Sequence, residues 1–504
     1  MTTRASFVEE GVAIALLMDY AGTLKKGDRP MTVVSNPSAS GVYMTIFRSD
    51  AAMFEAVPWG AHGTRPEHLR ARLGHKTLVW WENWDVEETL NTEQSPAGVR
   101  EAFLGMVDYA ILKSIELGAL PGAAYVRGVP PLGQALPMLV ELVQAGWQPV
   151  PAIAGAPEGL WLSRFGHGGR SYVAAGNATL SPFEGTLTVD GTYLGDMDYL
   201  FTHFDGEALH NTVTDRSTSL DVAIPSRQPF VGRAALGVQS LTRGAVGALV
   251  SQEDDLASIT TRVVFDLTSS QRLSFAIEPP EGYSLVRIDL NGCALTGQTV
   301  DGVSTFADEV ADGDVLQIHY RSDVYRVSRA DLLAFDFASP TLGSQAVVTL
   351  PGNPSEGELY AAYRLQKYFA DYIQAWLSDC QGVLASGGAQ LGRDMWWIPQ
   401  VFSGDVASSW HLIAFTDDFF GRIKREAQEP ASNRPRVILA DSLEGADANG
   451  VIELRDDGQT LFIGAGDEKR LTRLLVDVLH QLDTKYAYFG SLARPLQHEA
   501  PQCY

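Results

Sequence analysis

The amino-acid sequence predicts a multidomain protein that combines α/β and all-β parts: a partial (β/α) barrel, β-sandwich modules and a C-terminal α/β accessory domain. Three observations support this fold class. Short apolar runs alternate with helical patterns in the first third, and short strands with turn signals follow one another in the middle. Helical periodicity returns between strands from about residue 340. These changes of pattern place the domains at residues 1–155, 156–245, 246–335 and 336–504.

The first third contains four predicted strands that alternate with predicted helices. The strands are Met31–Ser35, Ala51–Glu55, Thr77–Trp81 and Ala123–Val126, and the helices are 6–26, 66–73, 99–117 and 136–145. Strands that alternate with helices form parallel βα units, and four such units are half of an eight-stranded barrel. In such barrels the chemistry lies at the carboxyl ends of the strands. We therefore expect Asn36, Glu55 and Glu82 on one rim.

The middle of the chain predicts two β-sandwich modules that meet near Arg243–Asp255. Its first strands form a hairpin around Gly166–Gly169, and later strands show almost no helical periodicity. Predicted strands of this region are Trp161–Phe165, Ser171–Ala175, Thr261–Phe265, Leu285–Asp289 and Val315–His319.

The last third returns to α/β patterning. Ser355 and Glu358 have the spacing of a capping box, which predicts a helix that follows the strand Ala346–Leu350. A hairpin is predicted across Asp456–Gly458, and Asp467 is predicted to cap the final helix. Gly464-Ala-Gly466 before that helix lacks the further residues of a phosphate-binding fingerprint, so we interpret it as structural.

Charge excludes two classes of partner. The 504 residues carry 38 basic and 61 acidic side chains, a net charge of −23. Such a surface repels phosphate backbones and anionic membranes, so we expect neither nucleic acid nor membrane as a partner.

The three cysteines are widely spaced and fit no disulfide framework or zinc motif, and no metal or cofactor is expected. Without a signal-peptide pattern, the chain is expected in the cytoplasm, or outside the cell if it was cut from a larger secreted parent.

Two stretches carry a family resemblance. The order of strand, PGNPSEGELYAAYRLQKYF helix, PRVILADS strand, GVIELRDDGQTLFIGAG hairpin and helix resembles the small α/β accessory domain of β-hexosaminidases and α-glucuronidases, although that domain usually precedes the barrel. The segments AAMFEAVPWG, GHKTLVWWENWD, QPVPAI and LWLSRFGHGGRSYVAAGNAT resemble the second half of a glycoside-hydrolase barrel with its trailing β-sandwich. This resemblance implies catalytic carboxylates at strand ends, which Glu55 and Glu82 match.

Glu55 and Glu82 are the candidate catalytic residues. A glycosidase needs one carboxyl group as acid and a second as base or nucleophile. Neighbouring strands lie ~4.8 Å apart, so two carboxylates at strand ends can reach the separation of about 5–5.5 Å of retaining enzymes. The alternative is that each is a rim residue paired with Arg65, His62 or His75.

Aromatic and amide side chains accompany this pair. Trp59, Trp81 and Trp84 are candidates for stacking on a sugar ring. Asn83, Asp85 and Asn36 are candidates for binding hydroxyl groups, although Asn36 before Pro37 also suits a turn.

Two functions remain open at this stage. The first is a glycoside hydrolase, or a subunit of one, that acts on a poly- or oligosaccharide through paired carboxylates. The second is a non-catalytic carbohydrate-binding or assembly protein that retains a glycosidase scaffold. A complete barrel has about four further βα units, so we expect a homo-oligomer or a partner subunit that completes it.

Overall fold

The structure is a computed structural model. It describes residues 20–21, 23–26, 29–30, 34–35, 50–55, 70–71, 73–74, 76–82, 97–123, 130–195, 197–241, 244–339, 343–344, 346–379, 400–403, 411–415, 422–426 and 434–486.

A four-stranded parallel sheet forms the front of the molecule. Its strands lie in chain order, β3-β4-β5-β6, and helices α1 and α2 pack beside it. Two short antiparallel strands of two residues each, β1 and β2, precede the sheet in the chain. The bounds are β1 Lys25–Lys26, β2 Arg29–Pro30, β3 Val34–Ser35, β4 Ala51–Glu55, β5 Thr77–Glu82, α1 Ala97–Leu117, β6 Ala119–Ala123 and α2 Pro130–Ala145. Parallel pairing of neighbours in the chain agrees with the predicted βα units. The described strands form an open sheet, and the barrel stays a prediction.

Two predicted elements of the front need correction. The fourth strand begins at Ala119, four residues before the predicted strand Ala123–Val126, whose residues 124–126 lie outside the described residues. Gly118, with a φ of +57°, ends α1, and the chain enters the strand at once. Pro121 and Gly122 are unfavourable in strands, so the sequence does not indicate a strand here. Pairing with β5 nevertheless makes the segment extended, and an edge strand tolerates proline. The first predicted helix does not extend to 26, because Lys25–Lys26 pair with Arg29–Pro30.

Two antiparallel sheets that face each other form the middle of the molecule. The first has the order β21-β22-β18-β15-β10-β9-β7 with β12 also on β15, and the second has the order β20-β19-β23-β17-β16-β13-β14-β11-β8. The bounds are β7 Trp147–Gln148, β8 Ile153–Ala154, β9 Leu160–Phe165, β10 Tyr172–Asn177, β11 Phe183–Asp190, β12 Asp198–His203, β13 Leu209–Thr214, β14 Ser217–Ile224, β15 Pro229–Ser240, β16 Val246–Asp254, β17 Ser258–Asp266, β18 Gln271–Ile277, β19 Tyr283–Leu290, β20 Cys293–Ala294, β21 Gln298–Val300, β22 Val303–Val310 and β23 Val315–Ser322.

Side chains alternate between core and surface along these strands, which makes the pair of sheets a β-sandwich. Strand β17, for example, buries every second residue from Ile259 to Phe265. Both sheets continue across residue 245, since β15 pairs with β10 and β18 in the first sheet and β13 pairs with β16 in the second. Two core clusters lie between them, one around Val173 and Leu220 and one around Phe265 and Phe275. The division into two modules stays a prediction.

The C-terminal part is a mixed sheet of seven strands in the described residues, with two long helices packed on one face. Its order is β29-β28-β27-β26-β30-β32-β31, with the four strands β27, β26, β30 and β32 parallel. The bounds are α3 Arg329–Ala334, β24 Ala338–Ser339, β25 Gly343–Ser344, β26 Val347–Leu350, α4 Glu356–Asp379, β27 Gln400–Ser403, β28 His411–Phe415, β29 Arg422–Glu426, β30 Arg436–Ala440, β31 Val451–Arg455, β32 Thr460–Gly464 and α5 Glu468–Tyr486.

Local signals in the sequence place these C-terminal elements correctly. The Ser355 hydroxyl accepts the Glu358 N–H at 3.0 Å, and the Glu358 carboxylate accepts the Ser355 N–H at 2.9 Å, as the capping box predicts. The Asp467 carboxylate accepts the Arg470 N–H at 2.9 Å and caps α5. Strands β31 and β32 form the predicted hairpin across Asp456–Gly458.

Candidate functional site

Glu55 and Glu82 end two adjacent parallel strands. Glu55 is the last residue of β4 and Glu82 the last residue of β5, so both lie at the carboxyl edge of the front sheet. The register pairs Glu55 with Trp81, and Glu82 with Ala123 of β6. The two glutamates are therefore offset by one position. Since successive strand positions alternate between the two faces of a sheet, a regular pleat places these two positions on opposite faces.

The other predicted site residues divide between this edge and undescribed parts of the chain. Trp81 lies in β5, opposite Glu55 in the register. Trp59, Asn83, Trp84, Asp85 and Asn36 lie outside the described residues. The structure thus brings together Glu55, Trp81 and Glu82 at the level of the backbone.

At the opposite edge of the same sheet, a buried arginine fixes the start of β5 and β6. Arg70 is 2% exposed. Its guanidinium donates to the carbonyls of Leu117 at 2.5 Å, Gly118 at 2.7 Å, Lys76 at 2.8 Å and Gly74 at 3.0 Å. Burial lowers the pKa of Arg70 to about 10, which leaves it charged at neutral pH.

The arginine also joins the front sheet to the sandwich. Its Cζ atom lies 5.6 Å from the centre of the Trp147 ring. The Trp147 indole N–H donates to the Glu116 carbonyl at 3.1 Å. The last carbonyls of α1, which a helix leaves without partners, are thus bonded by side chains distant in sequence. Sequence analysis missed these contacts between the front sheet and the sandwich because their residues lie 31 positions and more apart.

A second set of polar contacts, between α2 and the sandwich, was also not predicted from the sequence. The Tyr172 hydroxyl of β10 donates to the Glu141 carboxylate of α2. Arg233 of β15 stands in register with Tyr172 and forms an ion pair with Asp254 at 3.0 Å. Burial lowers the pKa of Arg233, but Asp254 and Glu141 more than compensate and hold it above its usual value. These contacts connect α2 with both sheets of the sandwich.

In the parts of the chain that the structure describes, no group of three or more His, Cys, Asp or Glu side chains could hold a metal ion. Cys293 is exposed and free, and Cys380 and Cys503 lie outside the described residues. At Gly466 an added Cβ atom would lie 2.8 Å from that of Ala448, so this glycine serves close packing. None of the described helices is long and apolar enough to cross a membrane.

Comparison with known proteins gives distant likenesses only. No protein-family model matches the chain, and no curated protein matches it. Among solved structures, it is similar to a GH30 endoxylanase from Clostridium papyrosolvens, at 11% identity over 43% of this chain and 60% of that chain, with a TM-score of 0.25. It is also similar to BuGH86 in complex with neoagarooctaose, at 11% identity over 61% of this chain and 64% of that chain, with a TM-score of 0.21.

A third likeness is to a β-porphyranase of glycoside hydrolase family 86 from Bacteroides plebeius, at 12% identity over 64% of this chain and 72% of that chain, with a TM-score of 0.20. These neighbours are glycoside hydrolases, and similarity of this size assigns the chain to no family. The chain spans about three fifths of the length of the first two structures.

Proposed function

We propose that this protein is a glycoside hydrolase, or a subunit of one, that acts on a poly- or oligosaccharide through carboxylates at the carboxyl edge of the front sheet. One observation carries the proposal: Glu55 and Glu82 end adjacent parallel strands, β4 and β5. In parallel α/β sheets, ligands bind outside the carboxyl ends of the strands. In this proposal the front sheet is part of a (β/α) barrel that a second copy or a partner subunit completes.

The proposed roles follow from the chemistry of glycosidic bonds. One carboxyl group protonates the departing oxygen, and another attacks the sugar or activates water. Glu82 is proposed as the nucleophile or base and Glu55 as the acid. The tryptophans Trp59, Trp81 and Trp84 would stack on sugar rings, and Asn83, Asp85 and Asn36 would bind hydroxyl groups.

The register of β4 and β5 favours a second candidate. In the register of β4 and β5, Glu55 and Glu82 are offset by one residue. A regular pleat therefore places them on opposite faces of the sheet rather than on one face. A non-catalytic carbohydrate-binding or assembly protein needs the scaffold and the tryptophans but no matched pair of acids. This is the alternative that an experiment must separate from the first.

The test is to compare Glu82→Gln and Glu55→Gln with the wild-type chain on a panel of aryl glycosides and oligosaccharides. If Glu82 is catalytic, Glu82→Gln lowers kcat/KM by about 100-fold or more, as expected for the loss of a positioned acid or base. Glu184→Gln is the matched control, because Glu184 is exposed on β11 of the sandwich.

The outcomes separate the two candidates. Unchanged turnover in Glu82→Gln removes this residue from the mechanism, and a loss confined to Glu82→Gln removes Glu55. A wild-type chain that cleaves no substrate but binds an oligosaccharide in calorimetry supports the non-catalytic candidate. A chain that neither cleaves nor binds any sugar of the panel contradicts both.

A further inference from the structure

Arg164 is a buried arginine at the edge of the sandwich. It lies on β9, on the same face as Leu160 and Leu162, which pack into the core between the two sheets, and it is 4% exposed. Its Nε donates to the Val150 carbonyl at 3.1 Å, and its Nη1 donates to the Tyr193 carbonyl at 3.0 Å. Since residue 150 lies between the edge strands β7 and β8, the guanidinium lies where the chain passes from one sheet to the other.

This guanidinium lacks an acidic partner. In the described part of the chain no carboxylate forms an ion pair with Arg164. Asp190, the acid at the start of the neighbouring turn, accepts the Thr192 N–H at 3.0 Å and the Thr192 hydroxyl at 2.7 Å instead. Arginine is seldom buried without a counter-charge, because desolvation of an unpaired charge is costly. Burial lowers the pKa of Arg164, although an arginine stays charged at neutral pH.

Two other guanidinium groups show how such a charge is usually compensated. Arg70 donates to four backbone carbonyls, two of them at the negative end of α1, and Arg233 pairs with Asp254 at 3.0 Å. Arg164 donates to two carbonyls, and its second terminal nitrogen, Nη2, has no acceptor among the described residues. That atom is not sealed from solvent. Arg164 therefore keeps hydrogen-bond donors that a ligand can reach.

An aromatic and an aliphatic side chain flank the guanidinium at the surface. Tyr193 and Val150 adjoin Arg164, since their carbonyls accept from it, and they are 45% and 42% exposed. The centre of the Tyr193 ring lies 5.8 Å from the Arg164 Cζ atom. An exposed ring beside a fixed charge suits a ligand with a charged end and a flat body, because the ring buries a large apolar area and few rotatable bonds become fixed.

We propose that Arg164, Tyr193 and Val150 form a binding site for a small organic acid. Its carboxylate accepts from the free N–H groups of the guanidinium, and its flat body packs on the Tyr193 ring and Val150. A single negative charge suits the site, because the net charge of −23 repels multiply charged anions. The site lies in the sandwich, so it is independent of the function proposed for Glu55 and Glu82.

Ligand-observed NMR titrations of the full-length chain test the site. The probes are benzoate and D-galacturonate, which carry a carboxylate on an aromatic and on a sugar body, and benzamide and D-galactose are their neutral counterparts. We expect an acid to bind at least about 10-fold more tightly than its neutral counterpart, as a charge-assisted hydrogen bond provides. Tyr193→Ala, at an exposed position, should weaken this binding by about 2- to 10-fold. Arg164→Gln should remove the preference for the acid.

Arg262→Gln, at an exposed position of β17, is the matched control and should bind as the wild type does. Circular dichroism shows whether Arg164→Gln is folded; if it is not, the acid and neutral probes in the wild type and in Tyr193→Ala decide the test. Tighter binding of benzoate indicates an aromatic acid and tighter binding of D-galacturonate an acidic sugar, and both support the site. Acid binding that Tyr193→Ala or a folded Arg164→Gln leaves unchanged overturns it, as does a wild type that binds neither acid more tightly than its neutral counterpart.

Discussion

Arg70 shows how one side chain can supply the hydrogen-bond donors that the carboxyl end of a helix lacks. The carbonyls of Leu117 and Gly118 lie past the last bonds of α1, and its final turn contains no basic residue of its own. The guanidinium supplies both donors and a positive charge at the negative end of the helix dipole. Its planar fork also reaches Gly74 and Lys76, so one residue holds the end of α1 and the start of β5 together.

We expect Arg70→Met to lower the free energy of unfolding by about 3 kcal/mol, because buried carbonyls then lose a charged donor. Arg70→Lys should recover only part of this loss, since a single ammonium group lacks the forked geometry. Urea unfolding followed by circular dichroism measures the difference. Arg262→Met, at an exposed position of β17, is the control and should change stability little. Equal stability of Arg70→Met and the wild type would show that the joint is dispensable.

At the scale of elements, the capping box of α4 joins a helix to a neighbouring strand. The Ser355 hydroxyl donates to the Asp441 carboxylate, and the Glu358 carboxylate accepts the Asp441 N–H at 3.2 Å. Asp441 follows β30, so the cap also fixes the carboxyl end of that parallel strand against the start of α4. Burial raises the pKa of Glu358, which lies 3% exposed beneath this cap.

Ser355→Ala should lower the free energy of unfolding by about 0.5–2 kcal/mol, the range for an N-cap, because it removes one acceptor and one donor. The loss should appear as faster amide exchange in the first turn of α4 and at Asp441. Ser442→Ala, at the exposed neighbouring position, is the control. If both substitutions gave the same exchange rates as the wild type, the cap would contribute nothing to α4.

The elements that the sequence predicts well are those with local signals. The stripe of α5, the cap of α4 and the alternation of β17 depend on residues within a few positions of one another. The sequence places the start of β6 too late because the segment Ala-Leu-Pro-Gly-Ala favours a turn, and only pairing with β5 makes it extended. The position of Glu55 and Glu82 at strand ends was likewise predictable, whereas their one-residue offset depends on the register between strands, which no local pattern encodes.

At the scale of the whole molecule, the front helices and the sandwich share one core. Phe165 of β9 is fully buried among Val107, Ile111 and Ile115 of α1 and Leu139 of α2. Tyr172, Ala174 and Val231 complete this cluster from the outer face of the first sandwich sheet. Because neither layer covers its apolar face alone, we expect α1, α2 and the adjoining strands to unfold as one cooperative unit.

Phe165→Ala tests this shared core. It should cost about 3–5 kcal/mol, the usual range for a buried phenylalanine, and it should reduce amide protection in both α1 and β10. Phe275→Ala is the matched substitution, since Phe275 is equally buried but packs within the sandwich against Phe265, with ring centres 6.0 Å apart. We expect it to reduce protection in β17 and β18 and to leave α1 unchanged. Loss of protection confined to β9 and β10 in Phe165→Ala would mean that the front helices are stable without the sandwich, so that the two layers are separate folding units.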